Sequence, residues 1–404
     1  MEINYYNINI EKDLNIPKNI EEKNNEIVKI IDEQTSLNIL FDDLLLEEII
    51  KRTNDFAKSK KHFIVFGTGG SNLGARAIIN ILNSNSNKSI KFYDNIDPIV
   101  FENSFNNIDF SSTGFVIISK SGSTSETFAQ YSSIIELASK KNVHSSLFSN
   151  SLVITEFKDS PLFNLAKKNN CILFEHNKKI GGRYSIFSNV GLVPAILANA
   201  NVKSFYNGAT SFLNHFKNKK NLLFAQFFMY QNNLNISNNV IMTYSDLLYY
   251  FGKWYLQLWA ESIGKNNKGI TPIHAIGTTD QHSQLQLYLD GPKDKFFTFV
   301  TTNHEDKGLL INKTDDIDDS MRYLQGKKMG DLMNAEQKAT LDTFNQNSLK
   351  FRNIYMPKID EEKLGYLMAM SIVETISACI YFDVNPFNQP AVEQGKILTK
   401  KYLI

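Results

Sequence analysis

A glycine turn at the end of an apolar segment is the first place where this sequence could do chemistry. Ile64–Phe66 is followed by Gly67, Gly69, Gly70 and Ser71, and then by residues that could open a helix. Free backbone N–H groups and the positive end of a helix dipole favour an anion at such a junction. The turn therefore predicts a phosphate site.

Two common nucleotide patterns fail at this turn. The dinucleotide fingerprint needs a glycine where Asn72 stands, and the nucleoside-triphosphate loop needs a lysine where Ala75 stands. The predicted phosphate site matches neither pattern.

A second run of anion-binding residue types is SKSGSTSET, residues 119–127. Hydroxyl groups, free N–H groups and one lysine all suit phosphate oxygens. The alternative is a turn that only caps a helix, with Thr124 or Ser125 as the N-cap and the helix beginning at Glu126. Because the glycine turn lies one strand earlier, the anion site is favoured. Its candidate residues are Ser119, Lys120, Ser121 and Thr124.

The segment GGRYSIFSNVG, residues 181–191, carries a candidate electrophile. Its glycines let the backbone approach a ligand, and Arg183 stands just before a predicted helix. The arginine guanidinium is planar and always positively charged, so it is suited to stabilise an oxyanion that forms during a reaction. The alternative is a surface turn whose arginine forms a salt bridge.

The segment SDLLYYFGKWYLQLWAESIGK, residues 245–265, predicts a helix that Ser245 caps and Gly264 ends. Apolar residues recur at helical spacing and form one broad stripe. Glu261 lies at the edge of that stripe, and Gln257 lies one turn earlier on the same side.

Glu261 is a candidate general base because its carboxylate would stand beside aromatic rings, away from the solvent face. The alternative is an edge glutamate paired with Lys265 at i,i+4.

His282 stands in GTTDQHSQLQ, residues 277–286, a polar segment that follows a predicted strand. It is a candidate acid or base, and the alternative is a capping or surface residue. The seven histidines show no metal-ligand spacing, so we expect no metal site.

The last segment, residues 385–403, predicts a final helix. Asn388 can cap it, with Pro390 in its first turn. Gln389 and Lys396 are seven residues apart and would share one face. The alternative is a basic C-terminal tail.

Strands that alternate with helices must position these residues. Such alternation predicts parallel sheets with helices on both faces, which bind ligands at the carboxyl ends of their strands. A helical segment from Ser185 to Ala200 would bridge two units, which we expect to be packed together and not tethered. The predicted strands are His62–Phe66, Ile90–Tyr93, Phe115–Ser119, Ser145–Phe148 and Cys171–Phe174, followed by Val240–Thr243, Ile273–Ala275, Phe296–Val300 and Asn353–Met356.

Composition excludes several classes of protein. The chain has 404 residues, with 43 Lys plus Arg against 42 Asp plus Glu, so nucleic acid and membrane are not expected partners. Cys171 and Cys379 stand far apart, which favours a reducing compartment. No apolar signal core or uninterrupted membrane-length run is present. We therefore expect a cytoplasmic protein of two domains.

Taken in order, the motifs resemble the glucose-6-phosphate isomerase (phosphoglucose isomerase) family in its shorter bacterial form. The resemblance covers the chain from about residue 40 to its end. The motifs that carry it are FGTGGSNLGARA, SKSGSTSET, GGRYSIFSNVG, QLWAESIGK with GTTDQHSQLQ, and NPFNQPAVEQGK.

The resemblance implies two sugar-isomerase (SIS) domains, each a parallel sheet flanked by helices in three α/β/α layers, and a helical C-terminal tail. On this chain we expect an N-terminal extension at 1–40, the domains at 41–205 and 206–383, and the tail at 384–404. It also implies a homodimer with shared active sites, in which the histidine comes from the neighbouring subunit.

The resemblance assigns roles residue by residue. Glu261 would move a proton between C1 and C2 through a cis-enediol(ate), and Arg183 would stabilise the enediolate charge. His282 would help to open the sugar ring, with support from Lys396. Gln257 and Gln389 would line the pocket. The sugar phosphate would be held by Gly70, Ser71, Ser119, Lys120, Ser121 and Thr124. Neither a cofactor nor a metal is expected.

Three positions depart from the family's pattern, and two other functions compete. Thr68 stands where isoleucine is usual, and Asn388 and Ala391 replace aspartate and glycine. A sugar-phosphate sensor on the same fold would need only the phosphate loops. A bifunctional isomerase would also accept mannose 6-phosphate.

Overall fold

The strands of the chain form two sheets. The computed structural model of the chain describes residues 1–9, 18–82, 88–219, 223–230, 235–311 and 318–404. The strands in these residues are β1 Glu2–Tyr6, β2 His62–Phe66, β3 Ser89–Tyr93, β4 Thr113–Ile118, β5 Ser151–Thr155, β6 Ile172–Glu175, β7 Asn238–Thr243, β8 Thr271–Ile276, β9 Lys295–Thr302 and β10 Phe351–Met356.

Helices occupy most of the chain between the strands. The α-helices are α1 Ile20–Glu33, α2 Thr35–Asn38, α3 Asp43–Ala57, α4 Leu73–Asn80, α5 Pro98–Phe105, α6 Ser125–Lys140, α7 His144–Ser149, α8 Pro161–Lys168, α9 Asn189–Leu197, α10 Val202–Lys219, α11 Leu223–Tyr230, α12 Tyr249–Ile263, α13 Leu285–Asp290, α14 Met329–Gln346, α15 Glu361–Tyr381 and α16 Glu393–Leu403. Short 3-10 helices lie at Ile39–Phe41, Gly69–Ser71, Gly182–Phe187, Asp246–Leu248, Thr279–Gln281, Asp319–Leu324 and Pro390–Val392.

Each sheet has five strands in the described chain. The first has the order β3-β2-β4-β5-β6 and is parallel throughout. The second has the order β1-β10-β9-β7-β8 and is parallel except for β1. Parallel neighbours need crossover connections, and helices supply them here. The predicted fold class, parallel sheets flanked by helices with a C-terminal helix, is confirmed.

The two sheets share one hydrophobic core. Val65 and Ile118 of the first sheet belong to the same buried cluster as Ile241 and Val300 of the second. Helix α12 packs against α4 and α15 inside this core. Its apolar stripe is buried as predicted. The two units are therefore packed together, which fixes residues on α12 relative to loops of the first sheet.

Helix α15 is apolar enough to be mistaken for a membrane span. It is the one helix in the described residues whose length and composition meet that test, and 83% of the tested window is buried inside the fold. Its apolar character therefore reflects its place in the shared core.

Strand β1 was not predicted from the sequence. It is antiparallel to β10 at the edge of the second sheet, with Ile3 opposite Ile354. The ring of Tyr6 stacks on Phe351 at 4.5 Å. A polar N-terminal segment gives little local signal for a strand, because its pairing partner lies at the other end of the chain.

One predicted strand was wrong. Ser145–Phe148 lies within α7, and the strand in this region is β5, which begins at Ser151. Leu147 and Phe148 are the buried residues of a short helix. Strand β5 is instead buried along its whole length, between β4 and β6. A short apolar run does not distinguish these two structures.

Predicted helix ends were partly correct. Ser245 accepts from the Leu247 amide at 3.2 Å, but it caps a 3-10 turn that precedes α12, and Gly264 follows the last helical residue. The segment predicted from Ser185 to Ala200 divides into a 3-10 helix and the shorter α9. The proposed domain boundaries stay predictions.

Candidate active site

Glu261 stands in the last turns of α12 with both carboxylate oxygens engaged. Oε2 accepts from Arg183 Nη1 at 3.2 Å, and Oε1 accepts from Gln257 Nε2 at 2.8 Å. Gln257 precedes Glu261 by one helical turn, so the two side chains meet on one face. The Lys265 ammonium instead donates to the backbone carbonyl of Glu261 at 2.9 Å. The alternative carboxylate pair with Lys265 is therefore wrong.

Arg183 is buried in the 3-10 helix Gly182–Phe187, and its side chain is only 1% exposed. The Glu261 side chain is 34% exposed. Arg183 Nη1 also donates to Oε1 of Gln389 at 2.8 Å. The arginine thus joins α12 to the segment before the last helix, with a fixed positive charge on the closed side of the site and a carboxylate on its open side.

The glycine turn packs directly against this group. A Cβ on Gly70 would lie 2.2 Å from the carbonyl carbon of Gly182, so no larger residue fits there. Gly69 has a φ of +53°, and its ideal Cβ position lies 2.8 Å from Gln257 Nε2. The turn therefore brings the backbone before Ser71 next to Gln257 and the 182–183 peptide. Ser71 ends the turn in a half-buried position.

Two buried acceptors at the turn are left without a partner among the described residues. They are Oε1 of Gln257 and Oδ1 of Asn72. Asn72 uses its amide to donate to the Gly67 carbonyl at 3.2 Å. Buried polar atoms are normally hydrogen-bonded. Gln257 is half-buried beside Glu261, which places its acceptor at the candidate site, whereas Asn72 is 0% exposed and lies beneath the turn.

The SKSGSTSET loop lies beside the glycine turn because β4 pairs with β2. Ser119 is buried, and its hydroxyl shares a hydrogen bond of 2.8 Å with that of Thr124. Thr124 occupies the N-cap position of α6 but makes no capping bond, so its hydroxyl faces the loop. Ser121 is exposed and accepts from the Ser123 amide at 3.2 Å.

Lys120 is held against the segment before Gly181. Its ammonium donates to the Lys178 carbonyl at 2.9 Å and lies 3.8 Å from Glu156 Oε1. Desolvation lowers the pKa of Lys120, and Glu156 opposes that shift. A half-buried cation beside N–H groups and hydroxyls is suited to a phosphate.

The structure corrects the prediction for the last segment. Helix α16 begins at Glu393, after the 3-10 turn Pro390–Val392, so Gln389 and Lys396 do not share a helix face. Asn388 does not cap the helix, and its backbone carbonyl accepts from Arg183 Nη2 at 3.2 Å. Because this contact uses the backbone, the change from the family's usual aspartate leaves it intact.

Neither Lys396 nor His282 forms a hydrogen bond or an ion pair with this cluster in the described residues of the single chain. The Lys396 side chain is 67% exposed and pairs with Glu393 at 2.7 Å. His282 follows the 3-10 helix Thr279–Gln281, and its exposed ring forms no hydrogen bond or ion pair with the described residues. Asp280 braces that turn by accepting from the Ile276 amide at 2.7 Å.

Sequence reasoning missed Ser262, Tyr184 and the Pro386 carbonyl. All three contact each other or Arg183. Their positions in the sequence could have pointed to two of them, because Tyr184 directly follows Arg183 and Ser262 directly follows Glu261 within the quoted motifs. Among the described residues, no group of three or more His, Cys, Asp or Glu side chains is arranged to bind a metal ion.

Known proteins resemble this chain over almost its whole length. A protein of Methanococcus maripaludis is 35% identical over 401 residues, covering 95% of this chain and 89% of that protein. The glucose-6-phosphate isomerase of Campylobacter jejuni is 33% identical over 384 residues, covering 91% and 90%. A solved structure, that of a hypothetical protein of Thermus thermophilus, has a TM-score of 0.86 at 27% identity and covers 95% and 94%.

The family comparison agrees with these relatives. The family model described as phosphoglucose isomerase matches residues 51–403. This range includes the glycine turn, Arg183, Glu261 and the segment before the last helix. The chain therefore belongs to the phosphoglucose isomerase family.

Proposed function

We propose that the chain catalyses the reversible isomerisation of D-glucose 6-phosphate and D-fructose 6-phosphate, a step of glycolysis and gluconeogenesis. The observation that carries the proposal is the pair of Glu261 and Arg183, 3.2 Å apart, beside a glycine turn suited to phosphate. The family match and the name of the Campylobacter jejuni relative support the same reaction.

Glu261 would act as the general base of this reaction. Its carboxylate removes the C2 proton of the open-chain aldose, and the electron pair forms a C1–C2 double bond while the charge moves to O1. A proton then passes from the O2 hydroxyl to O1. Return of the first proton from Glu261 to C1 gives the ketose. One carboxylate thus takes and returns the same proton.

Arg183 would stabilise the enediolate. Its guanidinium is always protonated and is already fixed before the charge develops, so no reorganisation is needed at that moment. Gln257 would bind a sugar hydroxyl through Oε1, the acceptor that has no partner among the described residues. Gln389 would complete the pocket wall beside Arg183.

The phosphate would lie between the two loops at the carboxyl ends of β2 and β4. Gly70 would offer its N–H group from the first loop, and Ser71 would offer its hydroxyl, because its N–H already donates to the Thr68 carbonyl at 3.1 Å. The second loop would offer Lys120 and the hydroxyl groups of Ser119, Ser121 and Thr124. Both loops are anchored by neighbouring parallel strands, which supports a fixed distance from the phosphate to Glu261.

Ring opening would require residues that a single chain holds apart from Glu261. We propose a homodimer in which His282 of the partner subunit reaches the sugar ring, with Lys396 assisting. The exposed positions of both side chains are compatible with this arrangement. We place the protein in the cytoplasm, and two free, buried cysteines support a reducing compartment.

The deciding experiment is conversion of fructose 6-phosphate to glucose 6-phosphate by purified, chelator-treated protein, followed through a coupled dehydrogenase. Rapid conversion is expected and would also exclude a metal-dependent reaction. Absence of conversion, with sugar phosphate still protecting the protein against heat, would favour a sensor. Release of mannose 6-phosphate would favour the bifunctional isomerase, which also interconverts fructose 6-phosphate and mannose 6-phosphate.

A further inference from the structure

Every N–H group of the Arg183 guanidinium has an acceptor. An arginine side chain offers five such donors in one plane. Nε donates to Ser262 Oγ at 2.8 Å, and Nη1 donates to Glu261 and Gln389. Nη2 donates to the Pro386 carbonyl at 2.5 Å and to the Asn388 carbonyl at 3.2 Å. The guanidinium is therefore held along three edges.

The bond to Ser262 continues into a directed chain. Because Ser262 Oγ accepts from Arg183 Nε, its own proton is available to Tyr184 Oη, 2.8 Å away. Tyr184 has one hydroxyl proton, and it donates this proton to the Pro386 carbonyl at 3.0 Å. A carbonyl can only accept. Each hydrogen bond is thus donated in one direction along the chain, from Arg183 to Ser262, from Ser262 to Tyr184 and from Tyr184 to Pro386.

Water cannot replace a member of this chain. Ser262 is 0% exposed and Tyr184 is 1% exposed. Burial raises the pKa of the Tyr184 hydroxyl, so the group stays protonated and keeps its role as a donor. A buried N–H that loses its acceptor keeps its full desolvation cost.

The chain closes a ring that contains Arg183. Pro386 accepts from both Tyr184 and Arg183 Nη2, so the two ends of the chain meet at one carbonyl oxygen. The ring fixes the Nε and Nη2 edges of the guanidinium. Nη1 is then the nitrogen that points at Glu261 and Gln389.

We propose that Ser262 and Tyr184 are positioning residues, which hold the guanidinium plane of Arg183 so that Nη1 meets the charge formed in the reaction. This inference rests on the proposed function for its catalytic consequence. In this role, neither residue would touch substrate. Both would act through Arg183 by restricting rotation of its planar guanidinium. The alignment of that plane determines how well the guanidinium stabilises an oxyanion.

The test uses Ser262→Ala and Tyr184→Phe in the full chain. Ser262→Ala should lower kcat by about 10- to 100-fold, the effect of one hydrogen bond to a charged group. Tyr184→Phe removes bonds between neutral groups and should lower kcat by about 3- to 10-fold. KM for fructose 6-phosphate should stay within about threefold, because the phosphate loops are untouched. The double variant should be no worse than the more damaging single variant, since the chain is already broken.

Matched controls remove the same groups elsewhere in the core. Ser377→Ala deletes a buried hydroxyl that donates only to the Val373 carbonyl of its own helix, and Tyr206→Phe deletes one that donates to the Phe187 carbonyl. Both controls should keep kcat near the wild-type value. Equal losses in the controls, unchanged kcat in both test variants, or a change in KM alone would overturn the inference.

A second readout separates this inference from the proposed function. Hydrogen exchange of the Arg183 Nε–H, followed by NMR with labelled arginine, should accelerate at least tenfold in Ser262→Ala and not in Ser377→Ala. An inactive wild-type protein would refute the isomerase, while this exchange would still test the chain. Should Ser262→Ala fail to fold, Tyr184→Phe keeps the aromatic ring in place and breaks the same chain at the bonds of Tyr184 to Ser262 and Pro386. Unaltered exchange in a folded variant would refute the positioning role.

Discussion

Arg183 Nη1 lies 3.2 Å from Glu261 Oε2, in an ion pair whose two partners differ sharply in exposure. The arginine is enclosed by acceptors, whereas the carboxylate borders the open part of the pocket. Only the glutamate is therefore free to shift toward a substrate. Under the proposed function, Arg183 would supply a fixed cation and Glu261 a movable base.

Replacing Glu261 with Gln should abolish proton transfer while keeping the fold. The amide retains the shape of the side chain and can still accept from Arg183, but it cannot take a proton. We expect kcat to fall by about 10³-fold, within the range for loss of a general base. Sugar-phosphate binding, measured by calorimetry, should persist.

Glu136→Gln is the matched control for this variant. Glu136 forms an exposed i,i+4 pair with Lys140 on α6. Loss of this ion pair should leave kcat unchanged, because exposed ion pairs contribute little to the stability of the fold. Turnover of Glu261→Gln within tenfold of the wild type would show that another residue is the base.

Replacing Gly70 with Ala should destabilise the protein and impair the site together. The added Cβ would lie 2.2 and 2.3 Å from the Gly182 carbonyl carbon and oxygen, so the two loops must separate. We expect a loss of about 2 kcal/mol or more in the free energy of unfolding, measured in urea, and a fall in kcat/KM.

Gly181→Ala provides the comparison for Gly70→Ala. The nearest atom to its added Cβ is Tyr184 Cδ2 at 3.5 Å, an ordinary contact, and the Gly181 φ of −70° suits alanine. Its unfolding free energy should stay within about 0.5 kcal/mol of the wild type. Equal stability of the two variants would mean that the loops can separate without cost.

Residues of the site that belong to regular, amphipathic elements could be predicted from the sequence. Glu261 and Gln257 share a face of α12 because helical spacing fixes both positions relative to the buried stripe. The glycine turn and the SKSGSTSET loop follow strands whose apolar runs are plain in the sequence. Parallel pairing then places both loops at one edge.

Contacts between distant segments could not be predicted in this way. Arg183 meets the carbonyls of Pro386 and Asn388, and no local pattern links residues so far apart. The spacing of Gln389 and Lys396 misled for a related reason. A seven-residue interval implies one face only inside a continuous helix, and the turn at Pro390–Val392 interrupts it.

Acid should weaken the fold through His176, at the end of β6. Its ring is buried, Nδ1 donates to the Asn177 carbonyl at 3.2 Å, and Nε2 has no partner among the described residues. Burial lowers the pKa of His176 to about 4, and the charge of Lys120 adds to the shift. Between that pH and the ordinary value near 6.5, the unfolded chain binds a proton that the folded chain excludes.

Stability therefore rises with pH across this window. His176→Leu removes this titration. The unfolding free energy, measured in urea, should therefore rise by about 2 kcal/mol less between pH 5 and pH 7 than it does in the wild type. His215→Leu, at an exposed position on α10, should leave the profile of the wild type unchanged. Parallel profiles for the wild type and His176→Leu would mean that His176 has the same pKa in the folded and the unfolded chain.

Mixing two inactive variants should restore activity if the sites are shared between subunits. In a dimer of one Glu261→Gln chain and one His282→Ala chain, one site carries both defects and the other carries neither. Random exchange should then recover about a quarter of the wild-type kcat, because half of the dimers are mixed and each has one intact site. Each variant alone should stay inactive.

Subunit exchange must be verified, for instance by mass spectrometry of a labelled and an unlabelled chain. The control mixes Glu261→Gln with Arg183→Ala, two defects that lie in one chain's own cluster, 3.2 Å apart. Every site in that mixed dimer carries one defect, so activity should not return. Recovery in the control, or its absence in the test pair after verified exchange, would contradict the supply of His282 by the partner subunit.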